Sequence, residues 1–258
     1  MTAHSTVEAL GYRIASGGAG ECVGAFSAWA REAPPARVAA CLNPHSVATA
    51  DRDADLSAAL GSADLLLPDG VGVVLAARLA GGRVAGRVTG SDLLEGVCAA
   101  LDAEGGRSCF FLGCTEEALS RVRARMARDF PRLRVAGTLS PPFAERFGAD
   151  EEAAMVRAVN GARPDALWVG MTAPKQEKWI ARNREALEVP AVAAVGAALD
   201  FFAGTARRPG PAMRRLGLEW LGRLAREPGR MWRRTLVSGP VFCGLVLRSL
   251  ADGKGGGR

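Results

Sequence analysis

Among the polar side chains of this sequence, Asp69 has the best claim to chemistry. It lies in LLLPDGVGVV (65–74), between two apolar runs. Residues 65–67 have the aliphatic character of a buried parallel strand, and 71–79 read as a helix too apolar for the surface. Asp69 therefore falls where a strand ends and a helix begins, the place where open α/β folds bind ligands. A carboxylate with an ordinary pKa of about 4 is ionised at neutral pH, so it can take a proton from a hydroxyl nucleophile. The competing reading is that Pro68-Asp69-Gly70 is only a turn.

Other polar residues stand at similar strand ends. In CLNPHSV (41–47), Asn43 can cap a helix with Pro44 in its first position, or present its amide to a ligand. RVTGSDLL (87–94) places Thr89, Gly90, Ser91 and Asp92 before an apolar helix. Ser91 or Asp92 could simply cap it, while Gly90 would let a phosphate reach free backbone N–H groups. FFLGCTEEAL (110–119) repeats that arrangement, with Gly113 ending a strand and Thr115 able to cap. In APKQEKWI (173–180), Lys175, Gln176 and Glu177 would form a polar wall for a sugar. The DRDAD run (51–55) contains DxD twice, but inside an expected helix over 45–60 residues two apart do not face each other. It reads as a solvated helix face, so neither a metal nor another cofactor is expected.

The basic charge is local. Residues 205–234 hold nine arginines against Glu219 and Glu227, a net of +7 within a chain of net +6. Arg223, Arg226, Arg230 and Arg233 are spaced as one helical stripe, unless Pro228 breaks the helix, with Trp220 and Trp232 interleaved. Such a segment suits a membrane surface, a nucleic acid or a diphosphate. No RNA- or DNA-binding motif accompanies it, so nucleic acid is not expected as a partner.

These residues need a scaffold, and 258 residues at 48% hydrophobic suffice for one large α/β domain with an appendage. Strands are expected at 37–42, 64–67, 108–112, 133–138, 166–170 and 191–195. Helices are expected between them at 45–60, 71–80, 91–104, 115–129, 150–160 and 175–187. This alternation predicts a Rossmann-like, mostly parallel sheet with helices on both faces. It divides the chain into a catalytic core over 1–204, a basic appendage over 205–250 and a disordered tail over 251–258. The apolar run 236–247 is far short of the roughly 20 residues that span a bilayer, and Gly239 and Pro240 interrupt it. Six cysteines without a CxxC pair, and no signal-like N-terminus, point to a reducing cytoplasm.

Taken together, CLNPHSV, LLLPDGVGVV, RVTGSDLL, WVGMTAPKQEKWI, VGAALDFFAGTARRP and GLEWLGRLAREPGRMWRR resemble the WecG/TagA/CpsF family of bacterial glycosyltransferases, from about residue 10 to 235. The resemblance implies an inverting, metal-independent transferase. The sugar would be a hexose or N-acetylhexosamine type such as N-acetylmannosamine, its uronic acid or glucose. It would move from a UDP-sugar donor to a polyprenyl-diphosphate-linked acceptor in cell-surface polysaccharide or teichoic acid synthesis. Asp69 would be the base, and Asn43 and Gln176 polar residues of the active site. Thr89, Gly90, Asp92, Gly113, Glu177 and Asp200 would contact the donor, and Arg223, Arg230 and Arg233 would close over the diphosphate. Two positions depart from the family pattern and bear on the donor sugar: Cys41 stands where Thr is frequent, and Pro141-Pro142-Phe143 where Gly-Tyr-Phe is common. The location implied is cytoplasmic, peripheral on the inner membrane face and in contact with anionic lipid, with a homo-oligomer left open. The alternative from another class is a non-enzymatic sugar-nucleotide or polyanion-binding protein.

Overall fold

A computed structural model describes residues 4–144, 146–206 and 236–255, and singly 210, 213, 220, 221, 229 and 232. Arg223, Arg226, Arg230 and Arg233 lie outside the described residues. An antiparallel hairpin, β1 (Thr6–Ala9) and β2 (Tyr12–Ala15), precedes α1 (Ala19–Trp29). The main sheet then begins with β3 (Arg37–Leu42), followed by α2 (Pro44–Ala50), α3 (Ala54–Gly61) and β4 (Leu65–Pro68). Next come α4 (Val71–Leu79), α5 (Gly90–Glu104), β5 (Ser108–Gly113), α6 (Glu116–Asp129) and β6 (Arg134–Leu139). The core closes with α7 (Ala149–Ala162), β7 (Ala166–Gly170), α8 (Lys175–Asn183), β8 (Ala191–Ala194) and α9 (Ala198–Ala203). A last helix, α10, spans Ser238–Gly255.

The six-stranded sheet has the order β4-β3-β8-β7-β5-β6, and every pairing is parallel. Its residues alternate between two cores. Leu66, Leu112 and Val169 face one apolar cluster, while Leu65, Leu67, Phe111 and Trp168 face the other. The chain leaves β3 outward to β4, then crosses the sheet and builds the other half from β5. The reversal brings β3 beside β8, which makes the carboxyl ends of these two strands the expected crevice.

Five expectations change. The helix expected over 45–60 is two helices, because Asp51 ends α2 and Asp53 caps α3 by accepting the Leu56 amide at 3.1 Å. DRDAD is thus a turn between helices and not a helix face, with Asp53 also held by Lys178 Nζ at 2.6 Å. Helix α4 is not buried all round: Val71, Leu75 and Leu79 are 39%, 52% and 66% exposed. Gly239 and Pro240 do not interrupt α10, since they fall in its first turn, where proline's missing N–H costs nothing. The helix also continues to Gly255, five residues into the stretch read as tail. Among the described residues, no helix is long and apolar enough to cross a membrane.

Candidate active site

The site is assembled from backbone that leaves the carboxyl edge of the sheet. Leu42 pairs with Pro68 at the ends of β3 and β4, so Asn43 and Asp69 emerge side by side. The Asp69 amide donates to Leu42 O at 2.9 Å, fixing that relation. Gly70, with φ +123°, turns the chain at once into α4, and a Cβ there would press within 3.2 Å of Pro44 Cδ. The glycine is what lets the turn fold against the neighbouring strand end.

Asn43 does cap α2. Its Oδ1 accepts from the His45 and Ser46 amides at 3.1 and 3.0 Å, and Ser46 Oγ accepts the Asn43 amide in return. With Oδ1 committed, the Nδ2 hydrogens are what Asn43 can offer a ligand.

The loop after α4 returns to the same place, because the Val88 amide donates to Pro68 O at 3.1 Å. Thr89, and neither Ser91 nor Asp92, caps α5. Its Oγ1 accepts the Asp92 amide at 3.2 Å and donates to Asp92 Oδ2 at 2.7 Å, and its own amide reaches the same Oδ2 at 2.9 Å. Thr89 and Asp92 therefore spend bonds on each other in a capping box. Gly90, the first residue of α5, is pressed against β8 and β3. A Cβ there would lie 3.0 Å from Val195 O and 3.4 Å from Cys41 Sγ. The positive dipole end of the helix thus points at the crevice.

Gln176 and Glu177 open α8 but are 3% and 5% exposed, so they line the floor of the crevice. Gln176 Oε1 accepts the Gly196 amide at 3.1 Å, just beyond β8, and Nε2 donates to Glu177 Oε1 at 2.8 Å. Lys175 is no part of this wall: its ammonium donates to Ala144 O at 2.8 Å and sits 4.9 Å above the Phe147 ring.

Cys41 marks where these groups converge. Burial pushes its thiol well up, and the negative charges of Asp69, Glu177 and Asp92 push it further, against one backbone amide from Gly90. Three acidic groups from three segments therefore act on one sulfur. Cys41 is a free, partly buried thiol, and its place at the centre of the site was not legible in composition.

Gly113, at the end of β5, and Asp200, in α9, form a second group. Gly113 has φ +117°, and a Cβ there would collide with Gly170 O at 2.5 Å. Cys114 follows at φ +57°, its thiol pushed up to about 12 by burial and then by the nearby Asp200 carboxylate. Ser140 Oγ donates to Cys114 O at 2.7 Å, bringing the Pro141-Pro142-Phe143 loop over this end. Beside β4, Phe242 of α10 would lie 3.2 Å from a Cβ on Gly72, and Ser238 Oγ lies 2.8 Å from His45 Nδ1. Sequence reading missed both contacts; the only signal was an apolar run too short to span a membrane.

A doubly wound parallel sheet with a carboxylate, the buried amide of Gln176 and a glycine-led helix N-terminus at its switch point is the arrangement in which open α/β folds bind ligands. Residues 7–255 match the glycosyl transferase WecG/TagA/CpsF family, and the chain belongs to that family of glycosyltransferases. It is 31% identical over 206 residues to the N-acetylglucosaminyldiphosphoundecaprenol N-acetyl-beta-D-mannosaminyltransferase of Bacillus spizizenii, covering 80% of this chain and 77% of that one. The Bacillus subtilis protein of the same name is 29% identical over 211 residues, 82% and 79% of the two chains. A Staphylococcus aureus protein of that name is 29% identical over 185 residues, 71% and 68%.

Proposed function

We propose that this glycosyltransferase moves an N-acetylmannosamine-type sugar from a UDP donor to the sugar of a polyprenyl-diphosphate acceptor, with inversion and without a metal. The observation that carries the reading is Asp69 emerging beside Asn43 at the ends of β4 and β3, under the N-terminus of α5. Asp69 takes the proton of the acceptor hydroxyl, whose oxygen attacks the anomeric carbon from the face opposite the nucleotide. The bond from that carbon to the β-phosphate oxygen breaks, and UDP leaves with the electron pair. Asn43, Gln176 and Glu177 hold the sugars, while Thr89, Gly90, Asp92, Gly113 and Asp200 flank the nucleotide. Arg223, Arg230 and Arg233 stabilise the charge developing on the leaving diphosphate. The chemistry suits a peripheral position on the inner membrane face, where the +7 segment meets anionic lipid. Three relatives carry names that specify an N-acetylglucosaminyl-diphospho-undecaprenol acceptor, which supports the substrate class.

A donor screen tests this. UDP-N-acetylmannosamine, UDP-N-acetylglucosamine and UDP-glucose are each offered with an N-acetylglucosamine-diphosphate-lipid, and product is followed by mass. Acceptor-dependent release of UDP from the first donor is expected. Transfer to an acceptor lacking the lipid diphosphate, or from a non-uridine donor alone, would overturn the assignment.

A further inference from the structure

Helix α4 begins two residues after Asp69 and carries an apolar stripe into solvent. Val71, Leu75 and Leu79 recur at every fourth position, so they share one face over roughly 12 Å. They are 39%, 52% and 66% exposed, while Val73, Val74, Ala76 and Ala77 on the opposite face are buried in the core. Three large aliphatic side chains in a row facing water are unusual outside an interaction surface.

The stripe ends in positive charge. Arg78 turns its guanidinium to Val84 O, at 3.2 Å from Nε and 2.8 Å from Nη2, and Arg83 is exposed. Among the described residues neither forms an ion pair. Both line a shallow depression of about 510 Å³ with Ser16, Gly82, Val84 and Ala85. At the other end, Gly72 abuts Phe242 of α10, and Leu236 and Val237, just before that helix, are exposed as well.

We infer that this face of α4 is a bilayer-contact surface of the catalytic core, with Val71, Leu75 and Leu79 entering the acyl boundary and Arg78 and Arg83 meeting anionic headgroups. An in-plane helix with an apolar stripe and flanking arginines is built for that interface. The charge decides the occupant: beside an apolar stripe, Arg78, bonded only to the backbone carbonyls of Val84 and Ala85 among the described residues, and the exposed Arg83 keep uncompensated positive charge that complements anionic lipid, whereas a second copy would bring the same cations together. The placement has a consequence for catalysis. With α4 in the interface, Asp69 at its N-terminus lies at the membrane surface, where the diphosphate and first sugar of a lipid acceptor emerge. The inference rests on the acceptor being membrane-borne, and it adds to the basic appendage a contact made by the core itself.

The test uses the full chain with vesicles of phosphatidylcholine alone or with one-quarter phosphatidylglycerol. Leu75→Glu with Leu79→Glu is expected to weaken sedimentation with the anionic vesicles at least ~10-fold. Transfer to a short-chain, water-soluble acceptor should not change. Should the glutamates unsettle α4 by circular dichroism, Leu75→Ser with Arg83→Gln probes the same face. A dye on Leu79→Cys, in a Cys243→Ser background, should be quenched by lipids brominated in their acyl chains. An unquenched dye on vesicle-bound protein would overturn the inference. So would variants that bind vesicles like the parent, or that only convert a dimer to a monomer. If no UDP-sugar supports transfer while the vesicle and quenching results hold, the substrate assignment fails and the docking face stands.

Discussion

Nδ1 of His45 and Oγ of Ser238 lie 2.8 Å apart, joining the first turn of α2 to the start of α10 across 193 residues. The same junction buries Phe242 against the helix start that follows Asp69, since a Cβ on Gly72 would meet its ring. A segment beyond the basic stretch thus buttresses the wall that carries Asn43 and Asp69. Phe242→Ala should remove ~3 kcal/mol of packing, because a buried aromatic leaves a cavity. At ~2–4 °C per kcal/mol for a chain of this size, the melting temperature should fall by about 10 °C. A calorimetric midpoint within 2 °C of the parent would mean α10 is not part of the folded core.

Asp69→Asn keeps the turn geometry, because its backbone amide, not its carboxylate, makes the bonds to Leu42 O and Leu67 O. The variant should bind UDP as the parent does and turn over at least ~100-fold more slowly, the scale of a lost general base. Titration calorimetry with UDP alongside steady-state kinetics separates the two effects. Turnover within a few-fold of the parent would leave Asp69 a turn residue.

Gly90→Ala tests the helix N-terminus as the phosphate site. Its Cβ would fall 3.0 Å from Val195 O and 3.2 Å from Val195 Cα, both backbone atoms that cannot swing aside. The start of α5 must retreat from the crevice, so the donor KM should rise ~10-fold with a smaller change in kcat. An unchanged donor KM beside a lowered melting temperature would confine Gly90 to packing.

The strand ends were legible because parallel strands buried on both faces leave aliphatic runs, and the polar residue that stops each run stands at the ligand edge. Asn43 and Asp69 were placed at the ends of β3 and β4 that way. The hairpin β1–β2 was not legible. Its two-residue turn is Leu10-Gly11, with φ of 56° and 76°, and leucine at a left-handed position gives no turn signal. DRDAD was misread for a related reason: Asp51 and Asp53 act as caps, and capping depends on where the helix breaks, which periodicity does not show. The exposed side of α4 was hidden because a helix apolar on both faces shows no periodicity that marks which face meets solvent. The sequence marked Cys41 only as a departure from a frequent Thr, because convergence of Asp69, Glu177 and Asp92 on one sulfur is a property of topology.

The thiols give a check on this packing. Burial holds Cys22 up at about 11 and Cys114 at about 12, and raises Cys41, Cys98 and Cys109 strongly, whereas Cys243 is exposed. At pH 8 the buried thiols remain protonated, and the thiolate is the reactive form. Ellman's reagent should therefore modify one cysteine rapidly in the native protein and six after denaturation. Two or more fast thiols, with Cys41 among them by peptide mapping, would show that the floor of the site opens to solvent.

Gln176→Glu tests the buried polar pair and carries a pH signature. In the parent, Gln176 Nε2 donates to Glu177 Oε1 at 2.8 Å while both side chains are almost fully buried. The substitution replaces that donor with a second carboxyl at nearly the same size. Two buried carboxyls at hydrogen-bond distance cannot both ionise, so one must hold its proton well above the unfolded value of about 4.3. The folded variant then binds more protons than its unfolded chain between that value and the raised one, and stability falls as pH rises through the window. At pH 5 a shared proton restores the bridge, and the variant should melt close to the parent. At pH 8 it should melt several degrees lower, with transfer activity reduced there because the Glu177 carboxylate has lost its orienting donor. Parallel melting curves of parent and variant from pH 5 to 8 check this. A constant offset across that range would mean that the two carboxyls are hydrated and that Gln176 does not hold a buried pair at the foot of β8.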